Sequence, residues 1–285
     1  MNKKLEKLAE SFDAEYIDIR SKTLGLFDAR LWLFELKALI QSFRVFSVNK
    51  IVSKIYKTSA TSGEAITKMY DVEYGGNRPN YMYLNSLLYK SKLELITGYR
   101  ADEIKEMKIL DVGAGSNELL RFCHGELGIP SEQLYGSDIS IASKNIIVGD
   151  GFQGYAGRLE GLALPENYFD LIFLSYFIDY DTDQEATFRS AIKKARTGGK
   201  IVLEGLFPVR YLGLLEKDKD NYRFVTKGNS AVEDISLICN SFFKLSKEQD
   251  KKIIVEKIVR ARRYISNRLG LNRRPSYFIV FKVVQ

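Results

Sequence analysis

The residues with the most chemical potential gather around one glycine turn. Ile109-Leu110-Asp111-Val112-Gly113-Ala114-Gly115-Ser116-Asn117 reads as a short apolar strand, a turn and the start of a helix over Glu118–Leu127. Glycine lets a backbone approach a ligand closely, and the first turn of a helix offers amides with no partner inside the helix. A dinucleotide site has its third glycine where Glu118 stands, and a carboxylate there repels a pyrophosphate. It does not repel a ligand with a positive centre and no phosphate. Asp138 ends the next short strand, 23 residues after Gly115, close to the ~20-residue spacing of a carboxylate that holds ribose hydroxyls. Two more stretches, Arg158–Asp170 and Gly198–Leu203, each run into an apolar strand.

Beyond the strand that begins near Tyr168 lie Tyr176, Asp179, Tyr180 and Asp181. Residues there sit at the C-terminal edge of a parallel sheet, where open α/β folds bind ligands. Asp179 has two functional readings, as a base or as the holder of an ammonium group. It has a plain one too, as a solvated loop acid. The single histidine, His124, lies nearly two turns into the helix after the glycine turn, too far along to serve as a base. One histidine, and two cysteines (Cys123 and Cys239) outside any CxxC spacing, point to no metal site and no disulfide framework.

The elements that position these groups follow from periodicity. Residues 1–60 read as helices, with Asp28 capping one that runs to Phe46. Segment 58–65 reads as a loop, and 81–97 as helical again. Short apolar runs predict strands over Met107–Val112, Gln133–Ser137, Phe152–Ala156, Tyr168–Tyr176 and Lys200–Phe207. Between the last two, Thr182 and Glu185 form a T-x-x-E capping box for a helix over Thr182–Arg196, and Gly198 and Gly199 suit its C-terminal cap. Farther on, the pattern predicts a helix over Ala231–Ser241 and a strand over Phe242–Ser246. A basic helix over Asp250–Leu269 follows, with a stripe of Ile254, Ile258, Ala261, Ile265 and Leu269, and then a last strand over Ser276–Val284. Strands alternating with helices imply right-handed crossovers and a parallel sheet.

The net charge of +7 is concentrated at the C-terminal end, where residues 206–285 carry 17 Lys/Arg against 8 Asp/Glu. Such a surface is most simply a solvated face, with nucleic acid or an anionic membrane as the alternatives. The N-terminal MNKKLEKLAESFDAEY has no apolar run after its lysines, unlike a secretory signal. Leu31–Val52 is broken by Glu35, Lys37, Arg44 and Lys50, too interrupted to span a bilayer. The expectation is a cytoplasmic protein without a transmembrane segment.

In order and spacing, the motifs over roughly 105–207 resemble the class I S-adenosylmethionine-dependent methyltransferases. LDVGAGSN is similar to that family's LDxGxGxG, YGSDIS to its ribose-acid motif, and EGLALPENYFDLIFLSYFIDY and ARTGGKIVLEG to its runs into strands four and five. The resemblance implies a Rossmann-like, seven-stranded, mostly parallel sheet with an N-terminal helical cap. It implies a cap or lid over residues 1–100 and a methyltransferase domain over 101–285, the latter with a helical insertion near 250–270. By the same resemblance the cofactor is S-adenosyl-L-methionine. Asp111, Gly113 and Gly115 would line its methionine part, Asp138 would bind the ribose, Leu159 would border the adenine and Ser175 would face the sulfonium. Tyr70 and Tyr74 lie in a YDVEY element of the kind that folds over the cofactor as a lid, or else bury themselves in an amphipathic helix. Tyr176, Asp179 and Tyr180 are the catalytic candidates. Two positions depart from the family pattern. Asn117 replaces the third glycine, and Arg158 stands where many relatives carry an acid near the adenine, leaving Glu160 as the carboxylate for that side. The implied activity is methylation of oxygen or nitrogen on a small molecule. The alternatives are methylation of a nucleic acid such as RNA, or a non-catalytic cofactor-binding protein of the same fold.

Overall fold

The computed structural model describes residues 3–19, 67–68, 70–71, 90–175, 181, 183–207, 211–218, 221–225, 230–261 and 276–284. They build one eight-stranded sheet covered on both faces, one strand more than the seven expected. The strands are β1 (Glu15–Ile19), β2 (Ile109–Val112), β3 (Leu134–Asp138), β4 (Gln153–Ala156), β5 (Phe169–Ser175) and β6 (Ala195–Leu206). A hairpin of β7 (Tyr211–Asp218) and β8 (Asn221–Val225) stands apart from the sheet, which β9 (Lys252–Ala261) and β10 (Ser276–Val284) complete. The order across the sheet is β1-β9-β10-β6-β5-β2-β3-β4. Every neighbouring pair is parallel except the two that β10 makes, with β6 and with β9.

Alternate residues of each central strand enter opposite layers, so these strands are apolar throughout. Ile172 and Leu174 of β5 join a core with the helices α1 (Lys3–Ser11), α6 (Gln184–Lys194) and α7 (Ala231–Lys247). Leu171 and Phe173 face the other layer, formed with α2 (Lys90–Thr97), α3 (Ala101–Ile104), α4 (Glu118–Leu127) and α5 (Ile141–Gly149). The short β2 and β3 end together, so the turns after them share one edge of the sheet.

Several expectations change. The stretch expected to be a basic helix from Asp250 is, over Lys252–Ala261, the strand β9. Ile253 and Val255 are buried while Ile254 is 39% exposed, an alternation of period two. The run is rich in β-branched Ile and Val, which pack well on a pleated surface; residues 262–275 lie outside the described ones. Phe242–Ser246, expected as a strand, instead ends α7, because Ile235, Ile238, Cys239, Phe242 and Leu245 bury one helical stripe. There, Phe242 stacks on Phe281 of β10 with ring centroids 3.9 Å apart and an interplanar angle of 11°.

The cap of α6 is Asp183, whose side chain accepts from the Ala186 amide; Thr182 of the expected box lies outside the described residues. Gly198 and Gly199 do not cap that helix either. They lie in an irregularity of β6, where pairing to β5 jumps from Phe169↔Ala195 to Leu171↔Lys200. Gly198 has φ +82, and a Cβ on Gly199 would come within 2.9 Å of two backbone oxygens. The N-terminus is only partly helical: Glu15–Ile19 pairs in parallel with β9 and so adds a strand to the sheet edge. Of the expected 1–100 cap, the helix from Asp28 and the loop over 58–65 lie outside the described residues.

Candidate functional site

The glycine turn after β2 is pinned to the end of β3 by backbone and side chain together. The amides of Gly113 and Ala114 both donate to the Ser137 carbonyl, at 2.8 and 3.0 Å. Gly115 donates its amide to Asp138 Oδ2 at 3.0 Å, and the Ser140 amide donates to Oδ1 at 2.9 Å. Ser143 closes the loop from α5, its hydroxyl donating to the Gly115 carbonyl at 2.6 Å. Gly113 and Gly115 adopt φ of +76 and +55, the left-handed region that glycine enters without steric cost. Asn117, in place of the family's third glycine, has φ 70 as well. Asparagine is the residue that tolerates this region next best, and its Nδ2 donates to Asp150 Oδ2 at 3.0 Å.

Three carboxyls crowd this turn, with a fourth at its back. Asp111 is almost fully buried, and its Oδ1 has no hydrogen-bond partner among the described residues. Burial holds its pKa well above the ordinary range, and the carboxylates of Glu118, Asp138 and Glu204 push it the same way. Burial likewise raises Glu118 to about 7, although the Ser116 hydroxyl donates to it. Asp138 is raised by burial against the pull of the Ser140 and Gly115 amides. Each Asp138 oxygen accepts from one amide and the Ser143 hydroxyl bonds the carboxylate as well, and with about four acceptor sites in all the carboxylate keeps capacity for a ligand. A pocket of like-charged, desolvated carboxyls is an energetic cost until a cation enters it.

Around this centre the structure brings together some of the expected residues and sets others apart. Ser175 ends β5 opposite Glu204 of β6, and its buried hydroxyl lacks a partner among the described residues. Leu159 is buried in the core layer of α6, while Glu160 is exposed and engaged by Arg158 Nε. Tyr70 is half-buried in a short helical piece. Its neighbour Asp71 accepts from the Ser140 hydroxyl at 2.6 Å. This places the start of the expected lid element beside Asp138, which Ser140 also contacts. Tyr74, Tyr176, Asp179 and Tyr180 lie outside the described residues. His124 points elsewhere, its Nδ1 2.8 Å from the Ile129 carbonyl.

Sequence reasoning missed several partners. Nothing in a single sequence ties Ser143 to Gly115, Asp71 to Ser140 or Asp150 to Asn117, since all are long-range pairings. Asp181, one of the candidates beyond β5, is bonded on both oxygens. Its Oδ1 accepts from Arg158 at 2.8 Å and from the Asp183 amide at 3.0 Å, and its Oδ2 from the Thr187 hydroxyl at 2.6 Å. Among the described residues no group of three or more His, Cys, Asp or Glu is placed to hold a metal ion, and no helix is long and apolar enough to cross a membrane.

Comparison with known proteins bears on this site. Residues 85–219 match the family model of the methyltransferase domain. The chain is 28% identical over 105 residues to the ubiquinone/menaquinone biosynthesis C-methyltransferase of Shewanella woodyi, covering 34% of this chain and 41% of that protein. The enzyme of the same name from Shewanella frigidimarina is 26% identical over 148 residues, covering 42% of this chain and 58% of that protein. The chain thus spans about half the length of these relatives. Among solved structures, a chain of the complex between the Haloferax volcanii Trm112 methyltransferase activator and its methyltransferase partner superposes with a TM-score of 0.52. It is 13% identical, over 76% of this chain and 98% of that one, and the likeness is one of fold.

Proposed function

We propose that this chain, whose residues 85–219 match the family model of the methyltransferase domain, is a methyltransferase of the class I type that binds S-adenosyl-L-methionine at the glycine turn and methylates a small molecule. The observation that carries this reading is the buried carboxyl cluster with Asp111 Oδ1 unpartnered. Such a cluster fits a ligand that brings positive charge and ribose hydroxyls but no phosphate. When bound, this cofactor supplies a methyl group on a positively charged sulfur, with a neutral leaving group.

The chain's own residues supply placement. Asp138, braced by two amides, is set to accept from ribose hydroxyls. Asp111 is set to receive an ammonium group against its free oxygen, and the exposed Gly113 leaves room for close approach. Ser175 sits at the C-terminal end of β5, on the side where an acceptor would enter. A preorganised cluster of this kind lowers the barrier chiefly by holding the reacting atoms ~3 Å apart and aligned.

The relatives' stated activity is on carbon, so carbon joins oxygen and nitrogen as a target atom for this chain. A small acceptor is favoured over a nucleic acid because cations of the basic C-terminal stretch serve the fold. Lys251 donates to the carbonyls of Ile192 and Ala195 at the end of α6, and Lys257 to that of Leu95. Calorimetric titration with S-adenosylmethionine, S-adenosylhomocysteine and a nicotinamide dinucleotide tests the cofactor. Binding of the dinucleotide alone overturns the reading. A methyl-release assay over candidate small acceptors, run beside RNA at low and high salt, tests the acceptor class and separates an enzyme from a binding protein.

A further inference from the structure

Arg158 stands at the head of the turn Leu159–Gly161, directly after Gly157, whose amide donates to the Asp138 carbonyl at 2.8 Å. Its guanidinium engages Glu160 through Nε and Asp181 through a terminal nitrogen, and also reaches the Asp183 carbonyl at 3.3 Å. The Asp181 side chain is only 7% exposed, and both of its oxygens are occupied. Its remaining partners, the Asp183 amide and the Thr187 hydroxyl, belong to the first turn of α6 and its cap. A second stitch follows one turn later, where the Ser190 hydroxyl donates to the Leu159 carbonyl at 3.2 Å.

We propose that Arg158 is a positioning residue: through Asp181 it locks the N-terminus of α6, just past β5, to the segment that follows the ribose acid. This deepens the cofactor reading above and rests on it. The chemistry favours arginine. Its planar fork makes separate, directed bonds to two carboxylates and a carbonyl, which a lysine ammonium cannot do in the same geometry. The buried Asp181 carboxylate needs a cation for its charge, and no other cation bonds to it among the described residues. The linkage runs without a gap from Gly115 to Asp138, to Gly157 and Arg158, to Asp181, and into α6. Filling the cofactor edge therefore tightens the start of α6.

Hydrogen exchange of the full chain, with and without S-adenosylhomocysteine, reads this directly. In the wild type the ligand should slow exchange about fivefold or more both at the glycine turn and in the peptide Asp183–Lys194, on the scale by which binding suppresses local opening. Arg158→Gln should keep the slowing at the turn, with affinity within about threefold, and lose it in Asp183–Lys194. Asp181→Asn should do the same, and the double variant should lose no more than either single one, as expected of residues acting through each other. Arg158→Lys should restore less than half of the effect. Slowing at Asp183–Lys194 that survives in Arg158→Gln, or single losses that add in the double variant, overturns the proposal. Absence of slowing at the turn in the wild type overturns the cofactor reading itself. Asp181→Asn removes the charge, keeps one oxygen for the Asp183 amide and offers Thr187 an amide donor in place of the second oxygen, so it stays informative should Arg158→Gln fold poorly.

Discussion

Toward β9 and β1 the molecule buries charges as opposites. Lys200 of β6, 5% exposed, donates to Glu256 at 2.7 Å and to the Thr97 carbonyl at 2.6 Å, and lies 4.1 Å over the Tyr99 ring. Arg260 and Asp18 face each other at 3.8 Å across β9 and β1. At the β2–β3 edge the molecule buries like charges instead, with Asp111, Glu118 and Asp138 raised by burial and Asp111 raised further by the other two. Paired charges fix how elements dock and ask for nothing more. Buried carboxyls without a cation beside them cost stability, and such groups concentrate where proteins bind ligands. The contrast sets the β2–β3 edge, where we propose that the cofactor binds, apart from the β9–β1 side independently of any motif.

The contrast breaks most severely if the packed side proves soft. Phe281→Ala removes a fully buried ring stacked on Phe242. It should cost about 3–5 kcal/mol, seen in urea denaturation, while cofactor affinity of the folded fraction stays unchanged. A loss of affinity matching the loss of stability would mean that the two regions are not separable. Next in size, Asp138→Ala removes two braces and the carboxylate proposed to hold the ribose together. It should weaken S-adenosylmethionine binding by about 1.5–3 kcal/mol, the scale of hydrogen bonds to a charged group; unchanged affinity in a folded variant removes Asp138 from the site.

Glu118→Gln sharpens the comparison by separating stability from binding. Glu118 titrates near 7 in the fold against an ordinary 4.5, so between those values the folded state holds the proton more tightly than the unfolded one. Its contribution to stability is therefore most favourable below about pH 4.5 and is lost as pH rises through about 7. Glutamine stays neutral and can still accept from Ser116. The ligand-free variant should gain about 1–2 kcal/mol at pH 8, a value discounted for partial exposure, and nothing at pH 4. Denaturation at both pH values checks this, and an equal gain at both would show that ionisation of a buried carboxyl is not the cause.

How much of this edge the sequence disclosed follows from the range of the interactions. Strands β2, β3, β5 and β10, with α4, were legible because their apolar runs and flanking turns are local signals. Asp138 was legible because its spacing from Gly115 is set by one βαβ unit. The strand β9 was misread because Ile254, Ile258 and Ala261 also satisfy a helical spacing, and the arbiter is β10, which pairs with β9 along its length. The mutual repulsion around Asp111 was not legible, since Glu204 lies 93 residues away in sequence and reaches the site only through the pairing of β6 with β5. Asp181 was legible as a residue near the site but not in its role. Its contact with Arg158, across 23 positions, and its bonds to the start of α6 appear only in the fold.

The smallest expected effect belongs to Asn117→Gly, and its smallness is the point. At φ 70 and ψ 27 an L-residue carries a backbone penalty that is about 1 kcal/mol or more for most side chains and less for asparagine. Glycine removes that penalty and also deletes Asn117 Oδ1, a buried acceptor without a partner among the described residues. Against this stands the loss of the bond to Asp150, worth about 0.5–1.5 kcal/mol. Asp150 keeps Arg121, whose Nε donates to it at 2.8 Å. The opposing contributions should cancel to within about 0.5 kcal/mol, with cofactor affinity moving less than about threefold. Urea denaturation and calorimetry on one preparation measure both. A larger fall in affinity would place the Asn117 side chain among the groups that hold the ligand. Near-neutrality would mean that the edge tolerates a change of backbone preference at the turn while remaining intolerant of a change of charge beneath it.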